Sequence, residues 1–134
     1  MPQRHEPDDP REWINRSRSS LTHARSLAPG VYLEELCFDA QQAAEKAVKA
    51  VFIHRGLPFP YTHNLQRLLT VLSKEGVNIP DEVWQARELS AFAFESRYPG
   101  VAREVKEEQY RRALDTADAV LRWAEEIVFG KGSG

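Results

Sequence analysis

Residues 33–56, LEELCFDAQQAAEKAVKAVFIHRG, constrain the fold more than any other stretch. Apolar side chains at Leu33, Leu36, Cys37, Ala40, Ala43, Ala44, Ala47, Val48 and Val51 recur in steps of three and four, which places them on one face of a helix. At a rise of about 1.5 Å per residue that helix is roughly 35 Å long, the height of a small domain. A seam of alanines lets neighbouring helices approach closely, so this helix belongs at the centre of a bundle. Gln41, Gln42, Glu45, Lys46 and Lys49 occupy the other face, and a solvated helix face accounts for them. Glu45 and Lys49 form an i,i+4 pair in the favourable order, worth only about 0.2–0.5 kcal/mol. Gly56 supplies a left-handed cap and Pro58 forbids continuation.

The other elements follow from periodicity and stop signals. Asp9 caps a first helix with Pro10 at its first position. Trp13, Ser17, Leu21, Ala24 and then Leu27 or Ala28 form its apolar stripe, and Pro29-Gly30 stops it. Its exposed side holds Arg11, Arg16, Arg18 and Arg25 against Glu12, the most basic local surface in the chain. Thr62 or Asn64 caps a short third helix, with Leu65, Leu68, Leu69 and Leu72 turned inward and Gly76 at its end. Asp81 caps a fourth, carrying Val83, Trp84, Ala86, Leu89, Phe92 and Ala93 and ending before Pro99-Gly100. Tyr110, Ala113, Leu114, Ala117, Leu121, Ala124 and Val128 give a last helix over about 105–129. No stretch alternates long enough for a strand, and no repeat is present. The expected fold class is all-α: an antiparallel up-and-down bundle of about five helices, three long and two shorter. Residues 9–130 form its single domain, after a disordered lead at 1–8 and before a flexible tail at 131–134.

A chain of 134 residues suits one domain with one core. Its formal net charge of −2 excludes a whole-molecule basic field for nucleic acid, so any such contact needs a local patch. The single cysteine, Cys37, lies on the apolar face and has no partner for an intramolecular disulfide, which suits a reducing cytoplasm. No apolar run approaches the roughly 18–20 residues of a bilayer span, and no membrane role is expected. The first ten residues are polar and lack the apolar core of a signal peptide.

No glycine-rich phosphate loop, paired-cysteine site or Ser-His-Asp signature occurs, and none of the four histidines has zinc-binding spacing. No metal and no cofactor is expected. Three clusters remain. Arg97 and Tyr98, at the end of the fourth helix, offer a planar donor fork for a phosphate and a flat ring for a base. Equally, Arg97 pairs with a carboxylate and Tyr98 packs beneath the turn. Gln42, Glu45, Lys46 and Lys49 are either one solvated face or a phosphate site in which the lysines bind and Glu45 or Gln42 orients a base. Tyr61 and His63 follow the long helix. There His63 either helps cap the third helix or serves as a general base, for which the sequence places no activating partner.

The stretch Phe38-Asp39-Ala40-Gln41-Gln42-Ala43-Ala44-Glu45-Lys46-Ala47-Val48-Lys49-Ala50, then His63-Asn64-Leu65, then Glu95-Ser96-Arg97-Tyr98-Pro99, resembles the HEPN family. The likeness runs in order from about residue 9 to 129. It implies a four-helix-bundle core that commonly dimerises, often beside a separately encoded minimal nucleotidyltransferase, as a complex or a toxin–antitoxin pair. Many members of the family are metal-independent RNases marked by an arginine and, after four to six intervening residues, a histidine near the start of the last helix. Here Ala102, Arg103 and Glu104 stand where that histidine would follow Arg97, which argues against RNase activity. Arg18 or Arg16 with His23 fits the spacing but in the first helix. The expectation is a non-catalytic cytoplasmic module that binds nucleotide or RNA through Arg97, Tyr98, Lys46, Lys49, Glu45 and Gln42. The alternatives are an endoribonuclease using His63 or His23, and a bundle that only docks another protein.

Overall fold

The computed structural model describes residues 2–95 and 104–130. Among them every regular element is helical: α1 (Pro10–Ala24), α2 (Leu33–His54), α3 (Leu65–Lys74), α4 (Asp81–Trp84), a 3₁₀ turn (Gln85–Leu89), α5 (Phe92–Glu95) and α6 (Glu107–Phe129). The all-α bundle anticipated from the sequence is the fold observed.

The helix ends obey local chemistry. The Asp9 carboxylate accepts from the Arg11 N–H and Pro10 opens α1. Asn64, rather than Thr62, caps α3 by accepting from the Arg67 N–H at 3.2 Å, while Thr62 accepts from the Asn64 N–H. Gly56 follows α2 at φ +67° and Gly76 follows α3 at φ +91°, a region open to glycine because it lacks Cβ. The lead also touches the bundle: the His5 N–H donates to Glu12, Trp13 Nε1–H to the Pro7 carbonyl and Asn15 to the Gln3 carbonyl.

α2 lies at the centre. Cys37, Ala40, Ala43, Ala44, Ala47, Val48, Ala50, Val51 and Phe52 are wholly buried. α1 runs antiparallel to α2, with Ser17 Oγ donating to the Ala43 carbonyl at 2.6 Å and Lys49 lying against Trp13. α1 is also antiparallel to α6, because Arg18 meets Glu125 while Arg25 meets Asp118. α2 and α6 therefore point the same way, and the Val105 N–H meets Glu34 where both begin. The descending leg between them is assembled from α3, α4, the 3₁₀ turn and α5. Trp123 Nε1–H ties α6 to that leg through the Asn78 carbonyl.

Four sequence expectations are corrected. Asp81 does not cap α4: Pro80 holds the cap position, with no side-chain bond, and Asp81 is the first helical residue. α1 stops at Ala24, because the Arg25 N–H closes on the Leu21 carbonyl and Ser26 Oγ caps the Thr22 carbonyl. Leu27 and Ala28 are thus exposed, and Ile14, missing from the expected stripe, is fully buried. The single fourth helix is three short pieces, broken at Ser90-Ala91, where Ser90 Oγ accepts from the Leu65 N–H and joins the leg to α3. Finally, Gln41 and Glu45 are buried rather than solvated. α2 is enclosed by α1, α6 and the loop at 57–64, and Lys49 and His63 both meet the acid.

Candidate functional site

Gln41 and Glu45 stand one turn apart on α2, an i,i+4 spacing that lets their side chains meet. Glu45 is 3% exposed, and a bare carboxylate at that depth is costly unless it is met by donors. It is met on both oxygens. Oε1 accepts from Gln41 Nε2 at 2.9 Å and lies 2.8 Å from His63 Nδ1; Oε2 accepts from Lys49 Nζ at 2.9 Å. Gln42 Nε2 donates in turn to Gln41 Oε1 at 2.7 Å. Burial pushes the Glu45 carboxyl pKa up, but the bonds from Lys49, His63 and Gln41 outweigh it and hold the carboxyl below its ordinary value. Glu45 is thus ionised at neutral pH and only accepts.

That fixes the imidazole. Nδ1 of His63 must carry the hydrogen that reaches Glu45, so Nε2 is the nitrogen left for other partners. The His63 side chain is 62% exposed, so this edge meets solvent. Lys49 Nζ also lies over the rings of Phe59 and Trp13, at 5.2 and 5.8 Å from their centroids, which favours its charge. Phe59 is wedged edge-on against Phe52 and Trp13, anchoring the loop that delivers His63. The result is a polar cluster, termed the notch, in which Gln41 and Glu45 are buried, Lys49 lies against the aromatics and the imidazole edge meets solvent.

Of the residues singled out from sequence, Gln42, Glu45, Lys49 and His63 are brought together. Lys46 turns toward α1, donating to Ser20 Oγ at 2.8 Å. Burial, followed by the charge of Arg16, lowers its pKa, while Asp39 and Glu45 act the other way. His23 lies exposed in the last turn of α1, where its charge acts on Asp39 rather than on the notch. Tyr61, beside His63, is fully exposed. Arg97 and Tyr98 lie outside the described residues. Gln41, Trp13 and Phe59 were not anticipated as parts of a site. The signal for Gln41 and Glu45 is present: Ala43-Ala44, Ala47-Val48 and Ala50-Val51-Phe52 put apolar side chains almost all round the helix, leaving no broad solvated face.

The basic surface read along α1 is neutralised. Arg11 pairs with Asp9 and Arg16 with Glu12, each at 2.7 Å, Arg25 with Asp118 at 3.0 Å, and Arg18 with Glu125. Among the described residues no group of three or more His, Cys, Asp and Glu side chains is placed to hold a metal ion, and no helix is long and apolar enough to cross a membrane.

Two of the three stretches that carry the family likeness, the AQQAAEKAVKA run and the His63-Asn64-Leu65 turn, thus meet at one carboxylate. Comparison with known proteins agrees. No curated protein matches the chain. Among solved structures, the crystal structure of TT1696 from Thermus thermophilus is 32% identical, with a TM-score of 0.76 over 88% of this chain and 97% of that one. ST0689, described as an archaeal HEPN homologue, is 29% identical, with a TM-score of 0.71 over 90% of this chain and 98% of that one. The model of the HEPN domain matches residues 10–127, and the chain belongs to the HEPN family.

Proposed function

We propose that this HEPN protein is a binding module for a phosphate-bearing ligand, a nucleotide or RNA. It acts in the cytoplasm as a homodimer beside a separately encoded minimal nucleotidyltransferase, the two forming a complex or a toxin–antitoxin pair. The observation that carries the reading is the notch itself. An imidazole edge open to solvent stands over a buried acid and a lysine, built from two stretches the family likeness rests on. Arg97 and Tyr98 complete the ligand's surroundings in this reading. Calorimetric titration with ATP and with a short RNA tests it. The expected outcome is saturable binding that Arg97→Ala weakens more than tenfold, the scale of a lost charge-assisted bond. No heat at millimolar nucleotide or at high RNA concentration overturns it.

One observation favours a second reading, a metal-independent endoribonuclease. Glu45 supplies His63 with the orienting partner that a general base requires. That reading expects EDTA-resistant cleavage of single-stranded RNA, abolished by His63→Ala. Labelled RNA recovered intact after incubation with the protein removes it. Departure from the arginine–histidine spacing at residues 97–104 supports the binding reading over this one.

A further inference from the structure

The charges around the notch cancel. Lys49 is matched by Glu45 at 2.9 Å. Arg16, which faces Lys46 from α1, is matched by Glu12 at 2.7 Å. Lys46 is offset by Asp39, whose charge acts on it along α2. His63 is the remaining ionisable group on the Glu45 carboxylate, and a neutral ring there must turn Nδ1–H inward, because the carboxylate only accepts. With a neutral ring, then, the notch offers an anion no uncompensated positive charge, and at its mouth Nε2 presents a lone pair rather than a donor. A phosphate oxygen meeting that lone pair is repelled.

Protonating Nε2 reverses both properties at once. The imidazolium donates outward to the phosphate and inward to Glu45, and the cluster gains one net positive charge. Glu45 already occupies Nδ1, so the added proton goes to Nε2, the edge that meets solvent. We propose that the notch captures a terminal phosphate only together with a proton, taken up at His63 Nε2, with Glu45 as the positioning residue. This rests on the binding reading above and names the chemistry of its site. A phosphate monoester supplies the second negative charge and the open oxygens that a diester in the middle of a strand lacks. The ligand is therefore a nucleoside monophosphate or a 5′-phosphorylated RNA end.

Titration calorimetry of the full chain provides the test, with AMP, a 5′-phosphorylated oligoribonucleotide and its 5′-hydroxyl counterpart as probes. Each is run at pH 6 and pH 8, in buffers of differing ionisation enthalpy. The expected result is uptake of close to one proton per ligand at the higher pH, with affinity falling about tenfold per pH unit above the imidazole range. The 5′-hydroxyl strand should bind at least tenfold more weakly than the phosphorylated one. AMP and RNA compared directly show which source of phosphate is preferred. His63→Gln, a change at an exposed position, should abolish proton uptake and flatten the pH profile. Glu45→Gln, which removes the carboxylate that holds Nδ1, should weaken phosphate binding at both pH values. Binding with no proton uptake, or binding unchanged in His63→Gln, overturns this inference and leaves the binding reading standing. Absence of binding by every probe overturns both.

Discussion

Glu45 is the residue on which most local structure depends. Removing Lys49, as in Lys49→Met, leaves the buried carboxylate with fewer donors and should cost about 3–5 kcal/mol, the range for breaking a buried pair. Thermal denaturation followed by circular dichroism checks it. The same carboxylate makes stability depend on pH. Its folded-state pKa is held below its ordinary value by Lys49, His63 and Gln41, so its contribution is present above the unfolded pKa of about 4.3 and is lost as pH falls through the folded value. The melting temperature should therefore drop between about pH 5 and 3, and Glu45→Gln should drop less over that window. Cys37 behaves differently: burial, with the nearby charge of Glu34, pushes its thiol up to about 12. It should resist a thiol reagent in the native protein and react at once in denaturant. At this scale the sequence was partly legible. The pairing of Glu45 with Lys49 follows from spacing. The third partner, His63, lies 18 residues away across a loop, and helical periodicity says nothing of a contact made by chain reversal.

Helices α2, α3 and α6 were legible because each combines a 3.6-residue stripe with its own stop signals, whereas α1 was legible in its cap but not in its end, which falls at Ala24 ahead of Pro29-Gly30. The descending leg was not. A stripe over residues 83–93 is compatible with one helix or with three short turns, and the choice is made by a tertiary bond from Ser90 to α3. Depth within a stripe was legible only in part. Val51 is fully buried, and Val51→Asp should prevent folding, seen as loss of helical circular dichroism. Leu114 lies on the expected stripe of α6 but is only half-buried. Leu114→Ala should thus cost about 1–2 kcal/mol in urea denaturation, below the roughly 2–5 kcal/mol of a fully buried leucine.

Among the described residues, the charges of α1 are arranged as opposite neighbours rather than gathered into a field. The arginines of α1 spend their charge on α6, on their own helix and on Asp9, so a chain with net charge −2 presents no arginine-rich stripe along α1 to RNA. Such exposed pairs contribute about 0–1 kcal/mol each, and their larger effect is to hide a surface that sequence alone reads as basic. The proposed dimer is checked by light scattering, with a mass of twice 15.3 kDa expected. The segmented third leg has a consequence for motion. α3, α4, the 3₁₀ turn and α5 are each shorter than the roughly 12–15 residues at which a helix persists unaided. α1, α2 and α6 instead are long helices packed against one another. Amide deuteration should accordingly proceed in two waves, early across residues 65–95 and late across the three long rods, giving this protein one hinged panel in an otherwise stiff frame.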